Sequence, residues 1–190
     1  MQQLRTLPRF VRKLALIHTN IGFIEHLLHG VQHQLTHVIL TNNHLAHFPG
    51  FTYHCMNLRY LDLSHNFLHQ LPVLSQLVKL ETLIVSHNRI SSLDNIVPTS
   101  PSNLHTLLTS NNCLEHLPDQ LFESCPKLKV LDISKNNCLQ TLPGGITELQ
   151  SLKVDDCHAL QMPPYVVAKN GLAHIRKYFR NQKKWLAKVK

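Results

Sequence analysis

The chain has 190 residues, a length that fits one ordinary domain or a short array of repeats. Hydrophobic residues make up 43% and aromatic residues 6%, so the chain can build a core that is mostly aliphatic. The net charge of +8 is uneven, because residues 1–168 hold eleven Lys/Arg and eleven Asp/Glu, whereas residues 169–190 hold eight Lys/Arg and no acid. This distribution argues against nucleic-acid binding spread over the body. No apolar stretch is long enough to span a bilayer.

The N-terminal residues and the cysteines bear on location. Arg12 and Lys13 interrupt any hydrophobic segment, so we expect no secretory signal peptide. The first 24 residues hold four basic and no acidic residue, which is also typical of a mitochondrial presequence. The cysteine count is odd and no CxxC occurs, which indicates a reducing compartment. We predict an intracellular, cytoplasmic location, with a mitochondrial one as the alternative. The cysteines are Cys55, Cys113, Cys125, Cys138 and Cys157.

An internal repeat with the pattern LxxLxLxxNxL runs along the chain. It is complete from Leu58, where Leu61, Leu63, Asn66 and Leu68 follow at the repeat spacing. Successive copies start 21 to 24 residues apart. Further clear copies start at Leu35, Leu80, Leu104 and Leu128, and weaker ones start at Val11 and Leu149.

Each copy predicts one short strand followed by a turn. Leucines at alternate positions point to one side of the strand. The asparagine then turns the chain, and its side-chain amide can satisfy backbone groups of the turn beneath it. No repeat can bury its leucines alone, so the stack is the folding unit. The predicted ladder consists of Asn43, Asn66, Asn88, Asn112 and Asn136, with Cys157 in the last place.

The return segments between strands carry prolines and apolar residues. Proline is tolerated there because no strand-pairing donor is needed, and it occurs at Pro49, Pro72, Pro118, Pro143 and Pro163. The apolar residues that close the core from the convex side include Leu74, Leu77, Leu121, Ile146 and Leu149. The repeat from Leu80 lacks the proline, and residues 94–103 predict a loop instead. In the turn after Pro143, we expect Gly144 and Gly145 to relax the backbone.

This pattern resembles the leucine-rich repeat family over roughly residues 4–163. The resemblance implies an α/β fold: a right-handed solenoid of about seven repeats, with a parallel sheet on the concave face and a helical C-terminal cap. We divide the chain into a partial N-terminal cap (1–10), the solenoid (11–163) and a basic helical cap and tail (164–190). Leu4, Leu7 and Pro8 resemble the end of a repeat. The N-terminal edge is therefore either a natural half-cap or a surface that docks onto a neighbouring subunit.

The C-terminal segment has a signature of its own. Residues 163–179 read PPxxVxxxGxxxIxxYF and resemble the ending of intracellular leucine-rich repeat proteins of the Scribble, Roco and Ras-binding scaffold kinds. One helical stripe is formed by Leu172, Ile175, Phe179, Leu186 and Val189. This stripe predicts a helix that covers the last repeat.

The basic end of the chain is a second candidate surface. It predicts binding to an anionic membrane surface, an acidic protein, calmodulin or RNA phosphates, and the alternative is a solvated helix end. The candidate residues are Arg176, Lys177, Arg180, Lys183, Lys184, Trp185 and Lys188.

No motif predicts catalysis. The sequence holds no phosphate-cradling Gly-rich loop, no GxSxG and no HExxH, so we predict no enzyme activity, no cofactor and no metal. Among the 15 histidines, His65 and His87 occupy the same outward position in consecutive repeats, and His18 takes that position in the first. Neighbouring strands lie about 4.8 Å apart, close enough for this pair to share a metal. No third ligand is evident, so two ordinary surface histidines are the preferred interpretation.

The residues between the leucines should point onto the concave face in columns. One column holds His37, Tyr60, Thr82, Thr106 and Val130; the next holds Ile39, Asp62, Ile84, Leu108 and Asp132; the third holds Thr41, Ser64, Ser86, Ser110 and Ser134. We expect Ile39, Tyr60, Ile84, Leu108 and Val130 to be exposed apolar groups framed by Ser/Thr. Such a patch indicates a protein-binding face, although β-propensity alone also explains small residues there.

These observations favour a non-enzymatic intracellular adaptor or scaffold that binds a partner protein on the concave face, where Asp62, Asp132, His65 and His87 set the polarity. A second hypothesis is a structural subunit of a larger assembly, such as a ribonucleoprotein, in which the tail contacts RNA or an acidic partner. A third is targeting of an anionic membrane by the tail. A host-targeted leucine-rich repeat effector has the same sequence features.

Overall fold

The computed structural model describes residues 10–24, 28, 30–48, 54–98 and 100–189, with the side chains of residues 188 and 189 excepted. Seven three-residue strands pair in chain order in one parallel sheet. They are β1 (Lys13–Ala15), β2 (His37–Ile39), β3 (Tyr60–Asp62), β4 (Thr82–Ile84), β5 (Thr106–Leu108), β6 (Val130–Asp132) and β7 (Ser151–Lys153). The predicted repeat solenoid is confirmed. Pro49 and residues 1–9 of the predicted N-terminal cap lie outside the described residues.

Every strand uses its middle residue for the core. The middle residues pair in register across the whole sheet and are buried, except for half-buried Leu152 in β7. In β2 to β6 the flanking residues are half-buried on the opposite face, as a period of two requires. The buried middle residues are Leu14, Val38, Leu61, Leu83, Leu107 and Leu131.

A second inward column follows the strands, and one of its members is polar. Leu63, Val85 and Ile133 are each fully buried at this position. Thr109 takes the same place in the repeat that contains β5 and is also fully buried. Its hydroxyl donates to the carbonyl of Asp132 at 3.0 Å. The polar substitution is tolerated because its hydrogen bond is made inside the stack.

The predicted asparagine ladder is present and joins each repeat to the one before it. The Asn88 amide nitrogen donates to the carbonyls of Val85 and Leu63, both at 3.0 Å, and its Oδ1 accepts from the backbone N–H of Leu68 at 3.0 Å. The other ladder asparagines make the same pattern of bonds. Cys157 ends the ladder, with its Sγ donating to the carbonyl of Ile133 at 3.1 Å.

The residue before each ladder position has a left-handed backbone. Its φ lies between 54° and 58° in six consecutive repeats. Asparagine, aspartate and histidine tolerate this region better than most residues with a side chain. This backbone requirement explains why polar residues with short or planar side chains recur there. The six residues are Asn42, His65, His87, Asn111, Lys135 and Asp156.

The return segments close the core with short helical turns. They include three 3-10 helices, Gln32–Gln34, Asp94–Ile96 and Gly144–Glu148, and one short α-helix, α1 (Leu121–Ser124). The predicted convex-side residues Leu74, Leu77, Leu121, Ile146 and Leu149 are all buried. The expected loop over residues 94–103 instead begins with a 3-10 helix, because Leu93 and Ile96 are buried and anchor it to the core.

The role predicted for Gly145 is wrong. Neither Gly144 nor Gly145 has a positive φ, so neither is needed to relax the backbone. A Cβ on Gly145 would lie 2.6 Å from the Cβ of Phe122, whereas a Cβ on Gly144 would meet nothing within 4 Å. Gly145 is therefore required for the close approach of helix α1 to the next return segment.

Two helices close the C-terminal end of the stack. They are α2 (Tyr165–Ala168) and α3 (Leu172–Val189), separated by Gly171 with a φ of 87°. Ile175 and Phe179 are buried, as the apolar stripe predicts, and Ala168 of α2 is buried beside them. Of the other stripe residues, Leu172 is half-buried and Leu186 is 50% exposed, while the side chain of Val189 lies outside the described part. None of the helices in the described part of the chain combines the length and the apolar character needed to cross a bilayer.

Candidate functional site

The sheet register brings the predicted concave-face residues together. Strands β2 to β6 align position by position, so that the first residues form one continuous column and the third residues form another. The first column is His37, Tyr60, Thr82, Thr106 and Val130, and the second is Ile39, Asp62, Ile84, Leu108 and Asp132. We call these ten residues the concave face.

The concave face is more closely packed than expected. Ile39, Tyr60, Ile84, Leu108 and Val130 are half-buried rather than exposed. Neighbouring strands lie about 4.8 Å apart, so side chains in one column cover each other's flanks. The His37 and Tyr60 rings, for example, stack with their centroids 5.9 Å apart and their planes 20° apart. In the second column Ile84 and Leu108 are direct neighbours, whereas Asp62 lies between Ile39 and Ile84.

Two carboxylates on this face are held in fixed positions. Asp62 Oδ1 accepts from the backbone N–H of Ser64 at 2.9 Å and from its hydroxyl at 2.6 Å. Asp132 makes the same pair of bonds with Ser134, at 3.0 and 2.6 Å. Asp132 Oδ2 also lies 3.9 Å from Lys153 Nζ. The two negative charges are thus oriented before any ligand arrives.

The aromatic groups beside these carboxylates are neutral near pH 7. Burial, reinforced by the charge of Asp62, raises the pKa of Tyr60. Burial, together with the positive charges of Lys13 and Arg59 and against the opposing charge of Glu81, lowers the pKa of His37. The concave face therefore combines fixed negative charge, neutral hydrogen-bonding groups and aliphatic surface. The Ser/Thr column beside it is itself hydrogen-bonded, for instance Ser110 Oγ to Ser86 Oγ at 3.0 Å.

His65 and His87 were predicted to belong to this face, but they lie beyond the strand ends at the left-handed positions. Their rings stack, with centroids 4.0 Å apart and planes 11° apart. In parallel rings the nitrogen lone pairs run side by side and do not converge on one ion. In addition, His87 Nδ1 lies 2.8 Å from Asn111 Nδ2. No group of three metal-ligating side chains occurs among the described residues.

Next to this pair, the structure shows a stacked row that sequence reasoning missed. Phe67 is 42% exposed, and its ring stacks on His44 with the centroids 5.6 Å apart and the planes 9° apart. The guanidinium of Arg89 lies over the same ring at 5.3 Å. All three residues directly follow a ladder asparagine, so a column read at that position would have found them.

The burial of His87 makes the free energy of unfolding depend on pH. Burial, with the charges of His65 and Lys135, lowers the pKa of His87 from 6.5. Between the lowered pKa and 6.5 the unfolded chain binds more protons than the folded chain, so the free energy of unfolding falls as pH drops through that window. We expect His87→Asn to flatten this decline in urea unfolding between about pH 7 and 5. The control is His69→Asn, at an exposed histidine outside the stack. An unchanged slope in His87→Asn would contradict this account.

The predicted basic-tail residues separate into two groups. The guanidinium of Arg176 donates to the carbonyls of Thr147 at 2.9 Å and Leu149 at 2.7 Å, so it fastens helix α3 to the preceding return segment. Arg176 therefore has structural contacts in addition to its predicted place in the basic tail. The exposed residues are Lys177, Arg180, Lys183, Lys184 and Trp185, and the side chain of Lys188 is outside the described part.

Comparison with known proteins supports the repeat architecture described above. The family model described as "Leucine rich repeat" matches residues 33–90 and 102–158, which is more than half of the chain. The chain belongs to the leucine-rich repeat family. Members of this family are generally protein-interaction modules that bind protein partners.

Relatives and a solved structure show how far the similarity extends. The chain is 30% identical to mouse lumican over 75% of this chain and 42% of lumican. It is 28% identical to Receptor-like protein 45 of Arabidopsis thaliana, over 73% of this chain and 14% of that protein. The functional domain of InlJ from Listeria monocytogenes, which includes a cysteine ladder, matches with a TM-score of 0.61 and 17% identity, over 82% of this chain and 33% of that one. The chain thus spans less than half the length of these relatives.

Proposed function

We propose that this chain is a non-enzymatic protein-interaction module of the adaptor or scaffold type, and that its partner protein docks on the concave face. The observation that carries the proposal is the in-register pair of columns across β2 to β6, which sets aliphatic groups beside oriented carboxylates. Binding energy concentrates in central groups surrounded by a polar rim. Ile84 and Leu108 are central in the sheet, and the hydrogen-bonded Ser/Thr column forms one side of such a rim.

The residues of the concave face also indicate which chemical groups a partner would need. Half-buried aliphatic side chains suit a partner that supplies apolar side chains of its own. Asp62 and Asp132 each have one carboxylate oxygen occupied by serine. The second oxygen of Asp62 is available to a lysine, arginine or backbone N–H of the partner, whereas that of Asp132 lies 3.9 Å from Lys153 Nζ, which a partner cation would displace.

The non-enzymatic part of the proposal rests on the sequence, which contains no motif for nucleophilic, metal or phosphate chemistry. One relative is an enzyme, the adenylate cyclase of Schizosaccharomyces pombe, at 31% identity over 55% of this chain. That match covers 6% of the enzyme, a share too small to support a shared activity.

Affinity capture from native lysate tests the docking surface. The full chain is compared with the double variant Ile84→Glu and Leu108→Glu, and with the control Met56→Glu and Val166→Glu, which changes two exposed apolar residues outside the concave face. We expect the first variant to lose at least about 90% of the captured partner, since each buried glutamate removes roughly a tenfold or larger share of affinity. Equal capture by all three proteins, with thermal unfolding showing intact folds, would contradict the proposal.

We also propose a reducing compartment within the cell as the working location. All five cysteines are free, and Cys55, Cys125 and Cys157 are buried in the core. Burial raises the pKa of Cys55 to about 12 and also raises the pKa of Cys125 and Cys157. Free thiols in this number are typical of a reducing environment.

The thiols should react in two classes. In the native protein we expect Ellman's reagent to label Cys113 and Cys138, which are exposed, and to leave the other three until the chain unfolds. Cys113→Ser with Cys138→Ser should therefore abolish fast labelling. Fast labelling that persists in this double variant would show that the core opens more readily than the structure indicates.

A further inference from the structure

A cleft lies between helix α3 and the return segment at Gly144–Glu148. Its volume is about 340 Å³, and Gly144, Thr147 and Glu148 line one of its walls. On this wall Thr147 Oγ1 donates to the carbonyl of Gly144 at 3.0 Å, and Glu148 is exposed. Small-molecule sites in proteins have volumes of about 300 to 1,000 Å³. The cleft is therefore large enough for one small organic ligand.

The other wall of the cleft is a single face of helix α3. It consists of Arg176, Phe179, Arg180 and Lys183. The last three follow Arg176 by three, four and seven residues, and side chains at these spacings project on the same side of a helix. Phe179 is buried and gives this wall an apolar part. One helix face thus presents three positive charges and one aromatic ring to the same cleft.

The lining of the cleft has an excess of positive charge. It holds three cations and one carboxylate, that of Glu148, which leaves a formal charge of +2. Among the described residues, no carboxylate oxygen lies within 4.0 Å of the side-chain nitrogens of Arg180 or Lys183. Like charges three or four residues apart on a helix destabilise it. An anion bound in the cleft would offset this repulsion.

One of the three cations is held in place before any ligand arrives. Arg176 Nε donates to the carbonyl of Thr147 at 2.9 Å, and its Nη2 donates to that of Leu149 at 2.7 Å. Its charge is therefore fixed beside the cleft, and no side-chain ordering is needed there when a ligand binds. The exposed side chains of Arg180 and Lys183 supply N–H donors that can close on the ligand.

A phosphate monoester matches this arrangement better than other common anions. It carries a charge of about −1.5 to −2 at pH 7 and three acceptor oxygens, and guanidinium groups bind such oxygens in pairs. A carboxylate or a nucleic-acid phosphodiester carries a single charge and would leave part of the positive charge uncompensated. Glu148 would repel phosphate oxygens, but its carboxylate accepts hydrogen bonds from hydroxyl groups. The carbon part of a suitable ligand therefore carries hydroxyl groups.

We propose that the cleft binds a polyol phosphate. The phosphate group pairs with Arg180 and Lys183 beside the fixed charge of Arg176, the hydroxyl groups donate to Glu148, and the carbon skeleton lies against Phe179. The same chemical group occurs in free sugar and inositol phosphates and in the headgroups of inositol lipids. The cleft shares no residue with the concave face, and the proposal does not depend on the function proposed for that face.

Isothermal titration calorimetry of the full chain at low salt tests the ligand class. The probes are myo-inositol monophosphate and glucose phosphate, with unphosphorylated myo-inositol and glucose, inorganic phosphate and a phosphoserine peptide for comparison. We expect at least one polyol phosphate to bind about tenfold or more tightly than its unphosphorylated form, and about threefold or more tightly than inorganic phosphate. Equal or tighter binding of inorganic phosphate or of the phosphoserine peptide would overturn the proposal.

A vesicle experiment distinguishes the two sources of the ligand. The full chain is mixed with phosphatidylcholine vesicles that do or do not contain phosphatidylinositol phosphate, and sedimentation measures the bound fraction. Free myo-inositol monophosphate is then added as a competitor. Vesicle binding that requires the phosphorylated lipid and is competed by the free compound would assign the cleft to a lipid headgroup. Binding of the free compound without vesicle binding would assign it to a soluble polyol phosphate.

Charge variants locate the interaction in the cleft. Arg180→Gln with Lys183→Gln should weaken polyol phosphate binding about tenfold or more. The matched control is Lys177→Gln with Lys184→Gln, which removes two charges from the same helix at exposed residues that do not line the cleft. We expect the control to change the affinity less than about twofold. Equal weakening in the two double variants, with circular dichroism showing intact folds, would overturn the proposal.

A change on the opposite wall tests how the ligand is oriented. Glu148→Gln removes a negative charge, so inorganic phosphate should bind about two- to threefold more tightly. The same change weakens the acceptor for hydroxyl groups, so the preference for polyol phosphate over inorganic phosphate should fall. An unchanged preference in this variant would contradict the role of Glu148.

Discussion

Asn136→Asp is expected to lower the free energy of unfolding by about 4 kcal/mol. Asn136 is fully buried, and its amide nitrogen donates to the carbonyls of Thr109 at 3.1 Å and Ile133 at 2.9 Å. A carboxylate at this position would place an acceptor against both carbonyls and bury a charge. Because protonation restores a donor, the destabilisation should shrink at acid pH. Guanidinium denaturation at about pH 7 and pH 4 measures both effects.

The next residue along the chain supplies the control. Asn137 is exposed, and Asn137→Asp makes the same chemical change one position further on. We expect this variant to alter the free energy of unfolding by less than about 0.5 kcal/mol. Similar losses in the two variants would show that general charge effects, and not the ladder, decide the result.

Gly145→Ala is expected to lower the free energy of unfolding by about 2 to 3 kcal/mol. The added Cβ would lie 2.6 Å from Cβ of Phe122 and 2.7 Å from its Cγ, so the overlap involves the rigid part of the side chain. This overlap is relieved only if helix α1 and the return segment at Gly144–Glu148 move apart. Thermal unfolding followed by circular dichroism measures the loss.

Gly144→Ala is the matched control for this substitution. A Cβ there meets nothing within 4 Å, and the φ is not in the left-handed region. We expect a change between zero and about 0.5 kcal/mol of added stability, since alanine restricts the unfolded chain. Equal destabilisation by both substitutions would instead show that the turn needs glycine for its backbone, and it would contradict the packing explanation.

The features that follow from periodicity could be predicted from the sequence. The strand positions, their parallel order, the asparagine ladder and the buried leucines of the return segments all repeat with the motif. Once the copies are aligned, residues such as Asn88 and Leu107 have one structural role each. The apolar stripe around Ile175 and Phe179 predicted the covering helix for the same reason.

Contacts between different positions of the motif could not be predicted in this way. Gly145 meets Phe122 of the preceding return segment, and Arg176 meets carbonyls 27 and 29 residues earlier. Neither contact recurs in another repeat of the described part of the chain, so no repeating pattern predicts it. The half-burial of Ile84 and Leu108 depends on side chains of neighbouring strands, which a column of residue types does not specify. The recurrent Asn, His and Asp before the ladder positions, in contrast, are a sequence signal from which the left-handed backbone could have been predicted.

Site-specific photo-crosslinking shows whether a partner protein lies against the concave face. Benzoylphenylalanine is introduced at Thr106, in the first column of the concave face, and in a second protein at Gln120, which is exposed in a return segment. After irradiation in native lysate, we expect a discrete protein adduct from the Thr106 position and no matching adduct from Gln120. The substitutions Ile84→Glu with Leu108→Glu should remove the Thr106 adduct. An adduct formed from Gln120 alone, or one at Thr106 that survives the double substitution, would contradict binding on the concave face.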